Sequence, residues 1–367
     1  MAVRLREALA SIPVYRPGET PDECGPASAA KLSSNESPWE PPAPVVEAVA
    51  KAAATLNRYP DFYEVDLCER LAERYGLDAG QVSVDNGSGS LLQDAVRIVC
   101  DQGDEVLYCT PTFAAYEIDV VLAGAKPKTV PLGADWRYDV AALQAAVTDR
   151  TRMVLVCNPN NPTGTFLTTD ELRELVRGLP DDVLVVIDEA YHEFECVEPQ
   201  DASLGLLKEF DNVMILRTFS KAFGLAGMRI GYCLADSELV DAINKTIVEF
   251  SVSTPAQAAG LACLTPEVGK VLDERTQTII RNREAFEDKL RAGGVGFIPS
   301  SSNFVMVPLP SSMEAFDLLK DAGIIARPFD DPEGIRVSVG TAEQMDRVAE
   351  VLVGAYGTKS AAAGAAE

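Results

Sequence analysis

At 367 residues with 47% hydrophobic content, the chain carries enough apolar material for one large core and a smaller one, while its net charge of −24 argues against nucleic-acid binding, which needs a basic face. No apolar run approaches the roughly 18 residues of a membrane span, and the opening MAVRLREALASIPVY lacks the apolar core of a secretion signal. The 8 cysteines stand singly without a CxxC pair, which disfavours a zinc ribbon or a disulfide framework and fits a reducing cytoplasm.

Residues 1–44 read as an arm, punctuated by proline and glycine and without periodicity. The pattern VVEAVAKAAATL predicts a helix starting near Pro44, a favourable first-turn residue. The loop NRYPD follows, then a helix over about 63–75. A short strand at 82–84 leads into Asp85-Asn86-Gly87-Ser88-Gly89-Ser90 and a helix from Leu91. A glycine turn opening a helix offers free N–H groups and the positive dipole end, a seat for a phosphate. Leu92 stands where a dinucleotide fingerprint wants glycine or alanine, so the turn suits a monophosphate better.

Strands at 105–109, 128–132, 152–157, 183–187, 213–217 and 229–234 then alternate with helices at 113–123 and 140–147 and one starting near Thr169, capped by Thr168 or Thr169. Unbroken β-branched runs joined by helices predict an α/β fold with a mainly parallel seven-stranded sheet covered on both faces. A long helix over 266–292 leads to a smaller α+β domain, with strands at 303–307, 324–327 and 335–339 and helices at 313–322 and 342–356. The expected division is an arm (1–44), a large domain (45–264), a small domain (265–356) and a frayed tail (357–367).

Ligands of such sheets bind beyond the carboxyl ends of the strands, so the polar residues there are the candidates. The richest stretch is LRTFSKAFGLAGMRIGY, 216–232. Lys221 lies in a small-residue, apolar context, where desolvation would lower its pKa towards a usable amine able to form a Schiff base. The hydroxyls of Thr218 and Ser220 before it and Arg229 after it could hold a phosphate. An amine beside a phosphate clamp suggests pyridoxal 5′-phosphate (PLP); the plain alternative is a solvent-facing lysine on a loop. Asp188 ends an apolar run and wants a cationic partner, such as a pyridinium nitrogen, with Tyr191 able to reach the other side of the ring. Asn161, bracketed by prolines in NPNNPTG, could donate its amide to a ring oxygen; the alternative is a simple turn. Phe113 could stack on a planar ring or start a helix against the core. Arg336, inside the strand pattern GIRVSV, needs an anion, carboxylate or phosphate, and Arg327 supplies a second guanidinium; a structural salt bridge is the alternative for each. His192, the only histidine, reads as a surface or packing residue, and a metal site built on several histidines is excluded.

Together the motifs SSNESP, NRYPD, NGSGS, NPNNPTG, DEAYHEF, RTFSKAFGLAGMRIGY and GIRVSVGTAEQ resemble the fold-type I PLP aminotransferases of the histidinol-phosphate aminotransferase group, over nearly the whole chain. The resemblance implies that Lys221 joins the cofactor covalently, with Asp188 on the pyridine nitrogen, Asn161 and Tyr191 on the ring oxygen, and Phe113 stacked on the ring. It implies a phosphate held by Gly87, Ser88, Ser220 and Arg229, with Gly89 and Thr218 nearby. A tyrosine like Tyr59 reaches the partner subunit's phosphate in such enzymes, which implies a homodimer with shared sites. Tyr15, Asn35, Arg327 and Arg336 would face the substrate. The implied activity is ping-pong transfer of an amino group from L-histidinol phosphate or an aromatic amino acid to a 2-oxo acid, expected to be 2-oxoglutarate.

Two positions depart from that group. Phe113 stands where it more often has tyrosine, and the turn after Gly87 reads SGS where histidinol-phosphate enzymes often carry SDE. With the N-terminal PVYRPG, the turn resembles the actinobacterial aromatic aminotransferase branch. Three rivals are a decarboxylase or lyase of the same fold, a nicotinamide oxidoreductase, and a PLP-sensing regulator, which would normally bring a DNA-binding segment that is not visible here.

Overall fold

The computed structural model describes residues 3–14, 18–19 and 29–358; Tyr15, part of the arm and most of the tail lie outside the described residues. The arm supplies β1 (Ala30–Lys31). The large sheet is built from β2 (Val82–Asp85), β3 (Glu105–Thr110), β4 (Lys126–Pro131), β5 (Thr151–Cys157), β6 (Leu184–Asp188), β7 (Val213–Thr218) and β8 (Gly231–Ala235). Its order is β2-β8-β7-β6-β5-β3-β4, with β8 antiparallel to both neighbours and every other pairing parallel. The stretch between β7 and β8 carries only the single 3-10 turn Ala226–Met228, not a crossover helix, so the chain returns antiparallel.

Alternation along the central strands explains their unbroken apolar sequence. Val154, Val156, Val185, Ile187, Val213 and Ile215 enter one buried cluster, while Met153, Leu155, Leu184, Val186, Met214 and Leu216 enter another on the opposite face. Both faces are covered, so neither set of alternate positions tolerates polarity. The helix Thr169–Arg177 starts at Thr168, whose hydroxyl accepts from Glu171 N while Glu171 caps in return.

A third buried cluster surrounds the small antiparallel sheet β11-β12-β9, formed by β9 (Phe304–Pro308), β11 (Arg327–Asp330) and β12 (Glu333–Ser338). The helix Pro266–Gly293 serves two cores: Val268 and Leu272 join the large-sheet cluster, and Ile279, Phe286 and Leu290 join the small one. It ends at Gly294 in the left-handed conformation (φ 74°).

Besides the helices Ser237–Ile243 and Thr254–Cys263, which the sequence reading did not place, three differences bear on the site. The expected single strand at 324–327 is two, β10 (Ile324–Ile325) and β11. Residues 30–31 of the arm form a strand, parallel to β10, that is too short to show a pattern in the sequence. Arg229 precedes its strand and sits in a left-handed turn (φ 57°). Among the described residues no helix is long and apolar enough to cross a membrane.

Candidate active site

The carboxyl ends of β5, β6 and β7 open onto a cavity of about 370 Å³, closed from the other side by β11, β12 and the arm. At one end lies a cup. The helix Ser88–Val99 begins at Gly87 (φ 86°) with no side-chain cap, which leaves its first N–H groups available to an anion. A Cβ added at Gly87 would fall 2.6 Å from Arg229 Nη2, so glycine is what lets the guanidinium come close. A Cβ at Gly231 would lie 2.1 Å from Ser88 N, so glycine is also required where β8 passes the turn. Arg229 Nη1 donates to Ser220 Oγ (3.3 Å) and to Ala226 O (3.0 Å). Ser220 N donates to Thr218 Oγ1 (3.1 Å), tying the loop to the end of β7. Ser88, Gly89, Thr218, Ser220 and Arg229 line the cavity.

In the same cavity wall, Asp188 is buried at the end of β6. Tyr116 Oη donates to its Oδ2 (2.8 Å) and Ala190 N to its Oδ1 (3.2 Å). Burial pushes the Asp188 carboxyl above the usual carboxylate range, against the pull of those two hydrogen bonds. A cation placed against it would relieve that penalty. Phe113 lines the cavity and meets the buried Tyr116 ring edge to face, with centroids 5.7 Å apart.

Lys221 Nζ donates to Ser34 O (3.2 Å) and lies 5.7 Å from the centre of the Tyr191 ring. Desolvation, followed by the nearby Arg336 cation, lowers its pKa from 10.5 to about 8, so the amine is within reach of its neutral form near neutral pH. Tyr191 Oη accepts from Asn35 Nδ2 (3.1 Å) and from Asn161 Nδ2 (3.4 Å). Asn161 Oδ1 in turn accepts from Arg336 Nη1 (2.6 Å), and Arg336 Nη2 donates to Ser33 O (2.8 Å). The arm is pinned there: Asn35 N donates to Ser338 Oγ (2.8 Å), and Asn303 Nδ2 donates to Asn35 O (3.1 Å). The loop carrying Asn161 is fixed by Ser301 N donating to Gly164 O (2.7 Å). Arg327 lines the same cavity, directly across from Arg336 in the register of β11 and β12.

Tyr59 is apart from this group. It is 80% exposed, stacks on Phe250 (centroids 4.4 Å apart) and does not line the cavity. Of the two settings expected for His192, surface or packing, the structure shows the packing one: it is buried, with Nδ1 3.3 Å from Glu193 and Nε2 3.6 Å from Asp201. Sequence reasoning passed over Tyr116, whose only trace is its place one turn beyond Phe113 in PTFAAY. It also passed over Arg217, fully buried and paired with Glu189 (2.8 Å) and Asp201 (2.6 Å). An arginine closing the apolar run of β7 beside a glutamate closing that of β6 was the available signal.

Residues 28–352 match the family described as aminotransferase class I and II. The chain belongs to the class I and II aminotransferases. It is 42% identical over 347 residues to the aromatic amino acid aminotransferase of Rhodococcus opacus, covering 94% of each chain. It is 41% identical over 344 residues to that of Corynebacterium glutamicum, covering 94% of this chain and 97% of the relative. Among solved structures it resembles histidinol-phosphate aminotransferase from Sinorhizobium meliloti in complex with pyridoxal-5′-phosphate, with a TM-score of 0.86 and 30% identity, covering 96% of this chain and 98% of the other. This aminotransferase is a PLP enzyme of fold type I, and its cavity fits that cofactor: an amine of lowered pKa, a buried carboxylate of raised pKa, and a cup whose guanidinium a Cβ at Gly87 would crowd.

Proposed function

We propose that this aminotransferase takes the amino group of an aromatic amino acid and passes it to 2-oxoglutarate, using Lys221 as base and Arg336 as the seat of the substrate carboxylate. The observation that carries the reading is Arg336: buried in β12, bonded to Asn161 and Ser33, and lining the same cavity as Lys221 and the cup residues Ser88 and Arg229. A planar guanidinium in that setting suits a carboxylate. The relatives named aromatic amino acid aminotransferase, at 40–42% identity, favour the aromatic donor. A second reading, L-histidinol phosphate as donor, is favoured by Arg327 across from Arg336, since two guanidiniums also suit a phosphate.

PLP, when bound, supplies an electron-withdrawing ring that accepts the pair left on the donor's α-carbon. Gly87, Ser88, Ser220 and Arg229, with Gly89 and Thr218, would hold its phosphate; Asp188 its ring nitrogen; Asn161 and Tyr191 its ring oxygen; Phe113 its face. Arg336 orients the donor's carboxylate, and Lys221 Nζ takes its α-proton. Asn35 keeps the Tyr191 hydroxyl in place from the arm. The exposed stack of Tyr59 on Phe250 supports a homodimer in which Tyr59 serves the neighbouring site. We place the enzyme in the cytoplasm. A division near residue 265 into a large and a small body also belongs to this reading.

Initial rates of the purified holoenzyme with phenylalanine, tyrosine and L-histidinol phosphate, each against 2-oxoglutarate, test the donor. A kcat/KM at least about tenfold higher for the aromatic pair supports the reading, being a difference of about 1.4 kcal/mol; the reverse preference moves the assignment to histidinol phosphate. Retention of all donor carbons by mass spectrometry separates transamination from decarboxylation.

Two further results are expected. Arg336→Lys keeps a charge but loses the fork, so KM for both the donor and 2-oxoglutarate should rise by about 30-fold or more, the low end of what breaking a buried charged hydrogen bond costs. Capture of added PLP by the apoenzyme should accelerate as pH rises through about 8, because the lowered Lys221 pKa means the neutral amine forms there rather than near 10.5. Arg336→Gln removes a cation that lowers this pKa, so it should move that midpoint upward.

A further inference from the structure

The register of the small sheet places two aromatic rings around Arg336. On β12, Arg336 lies opposite Met306 of β9 and opposite Arg327 of β11. Ser338 and Gly334, two residues away on either side and on the same face, lie opposite Phe304 and Phe329 respectively. Each phenylalanine therefore holds a diagonal position, one on each flanking strand, within reach of a long side chain. The Arg336 Cζ is 5.3 Å from the centre of both rings. The two rings differ in what else they meet. Phe304 is fully buried and meets the Tyr191 ring edge to face at 5.1 Å. Phe329 is half-buried and forms part of the cavity wall.

Among the described lining residues the aromatic rings are Phe113, Tyr191 and Phe329. The reading above gives Phe113 and Tyr191 to the cofactor. Phe329 is the ring left over, and it stands beside the carboxylate seat. In an aromatic amino acid the side-chain ring is a single carbon away from the α-carbon, so a donor held by Arg336 has its own ring close to that seat. We infer that Phe329 is a specificity-determining residue: its ring is the wall against which the donor's aromatic side chain packs while Arg336 holds the carboxylate. The inference deepens the aromatic-donor reading and rests on it. The acceptor 2-oxoglutarate uses Arg336 as well but brings no ring, which makes it an internal control.

The test compares two unreactive carboxylates, 3-phenylpropanoate and glutarate, binding to the holoenzyme of wild type, Phe329→Ala, Phe329→Leu and Phe329→Tyr, by titration calorimetry. Phe329→Ala should weaken 3-phenylpropanoate by about tenfold or more and glutarate by less than about threefold. Phe329→Leu should fall between wild type and alanine, and Phe329→Tyr should retain wild-type binding. Equal weakening of both ligands overturns the inference, because Phe329 would then act only through Arg336; so does unchanged binding of 3-phenylpropanoate. The donor reading fails separately, if wild type does not transaminate phenylalanine although it binds 3-phenylpropanoate with the expected dependence on Phe329.

Discussion

Replacing Lys221 by alanine should lower turnover by about 10⁴-fold, the upper end of what a single positioned acid–base group contributes, because the same amine also anchors the cofactor. Lys221 is the only lysine among the described residues that line the cavity, so no neighbour stands ready to take over its proton. Lys221→Arg should be as inactive as alanine: a guanidinium stays protonated and cannot accept the α-proton. Both variants should still take up PLP reversibly, since the Gly87–Arg229 cup and Asp188 remain. Single-turnover kinetics, with an absorbance spectrum before and after dialysis, measures both effects. A Lys221→Ala enzyme with near-normal turnover would remove the role assigned to that residue.

The second large effect is expected at Asp188. Its carboxylate is buried at the end of β6 with a hydroxyl and an N–H already bonded to it, and burial raises its pKa. A ring nitrogen carrying a proton would supply the missing opposite charge. Asp188→Asn keeps the shape and a polar contact to Tyr116 but cannot balance that proton. Breaking a buried charge pair from one side costs about 3–5 kcal/mol, so kcat/KM at saturating PLP should fall by about 150- to 5,000-fold. Asp188→Glu should recover part of the loss, because the charge is retained although its position moves. An asparagine variant that matches wild type would show that the carboxylate does not serve the ring nitrogen. The two substitutions should also be separable: alanine at 221 removes the base, whereas asparagine at 188 leaves the base in place and weakens what the ring can accept.

These residues were visible in the sequence for one physical reason. Strands buried on both faces read as uninterrupted apolar runs, so the polar stretches that end them, which carry Asn161, Asp188 and Lys221, stand out and fall at one edge of the sheet. Arg336 was visible for the opposite reason, as a charge inside an apolar strand. What remained hidden depends on contacts between distant segments. The bond from Tyr116 to Asp188 joins residues 72 positions apart, and nothing local marks it. The two-residue β1 has no periodicity of its own and exists through its pairing with Ile324 and Ile325. The rings flanking Arg336 appear only once strand order and register are known. For His192 the packing alternative holds, and its approach to Asp201, nine residues on, is not marked locally.

The arm meets Arg336 and Lys221 through the peptide oxygens of Ser33 and Ser34, not through their side chains. Exchanging either serine for another residue leaves those oxygens where they are. Dropping or adding one residue between β1 and Asn35 does not, since the pairing of β1 with β10 fixes which oxygen faces which cation and a one-step slip turns each group to the other side. Here the protein is indifferent to spelling and strict about spacing: positions 33 and 34 should accept other small residues, while Asn35 and the length of the segment over 32–35 stay fixed.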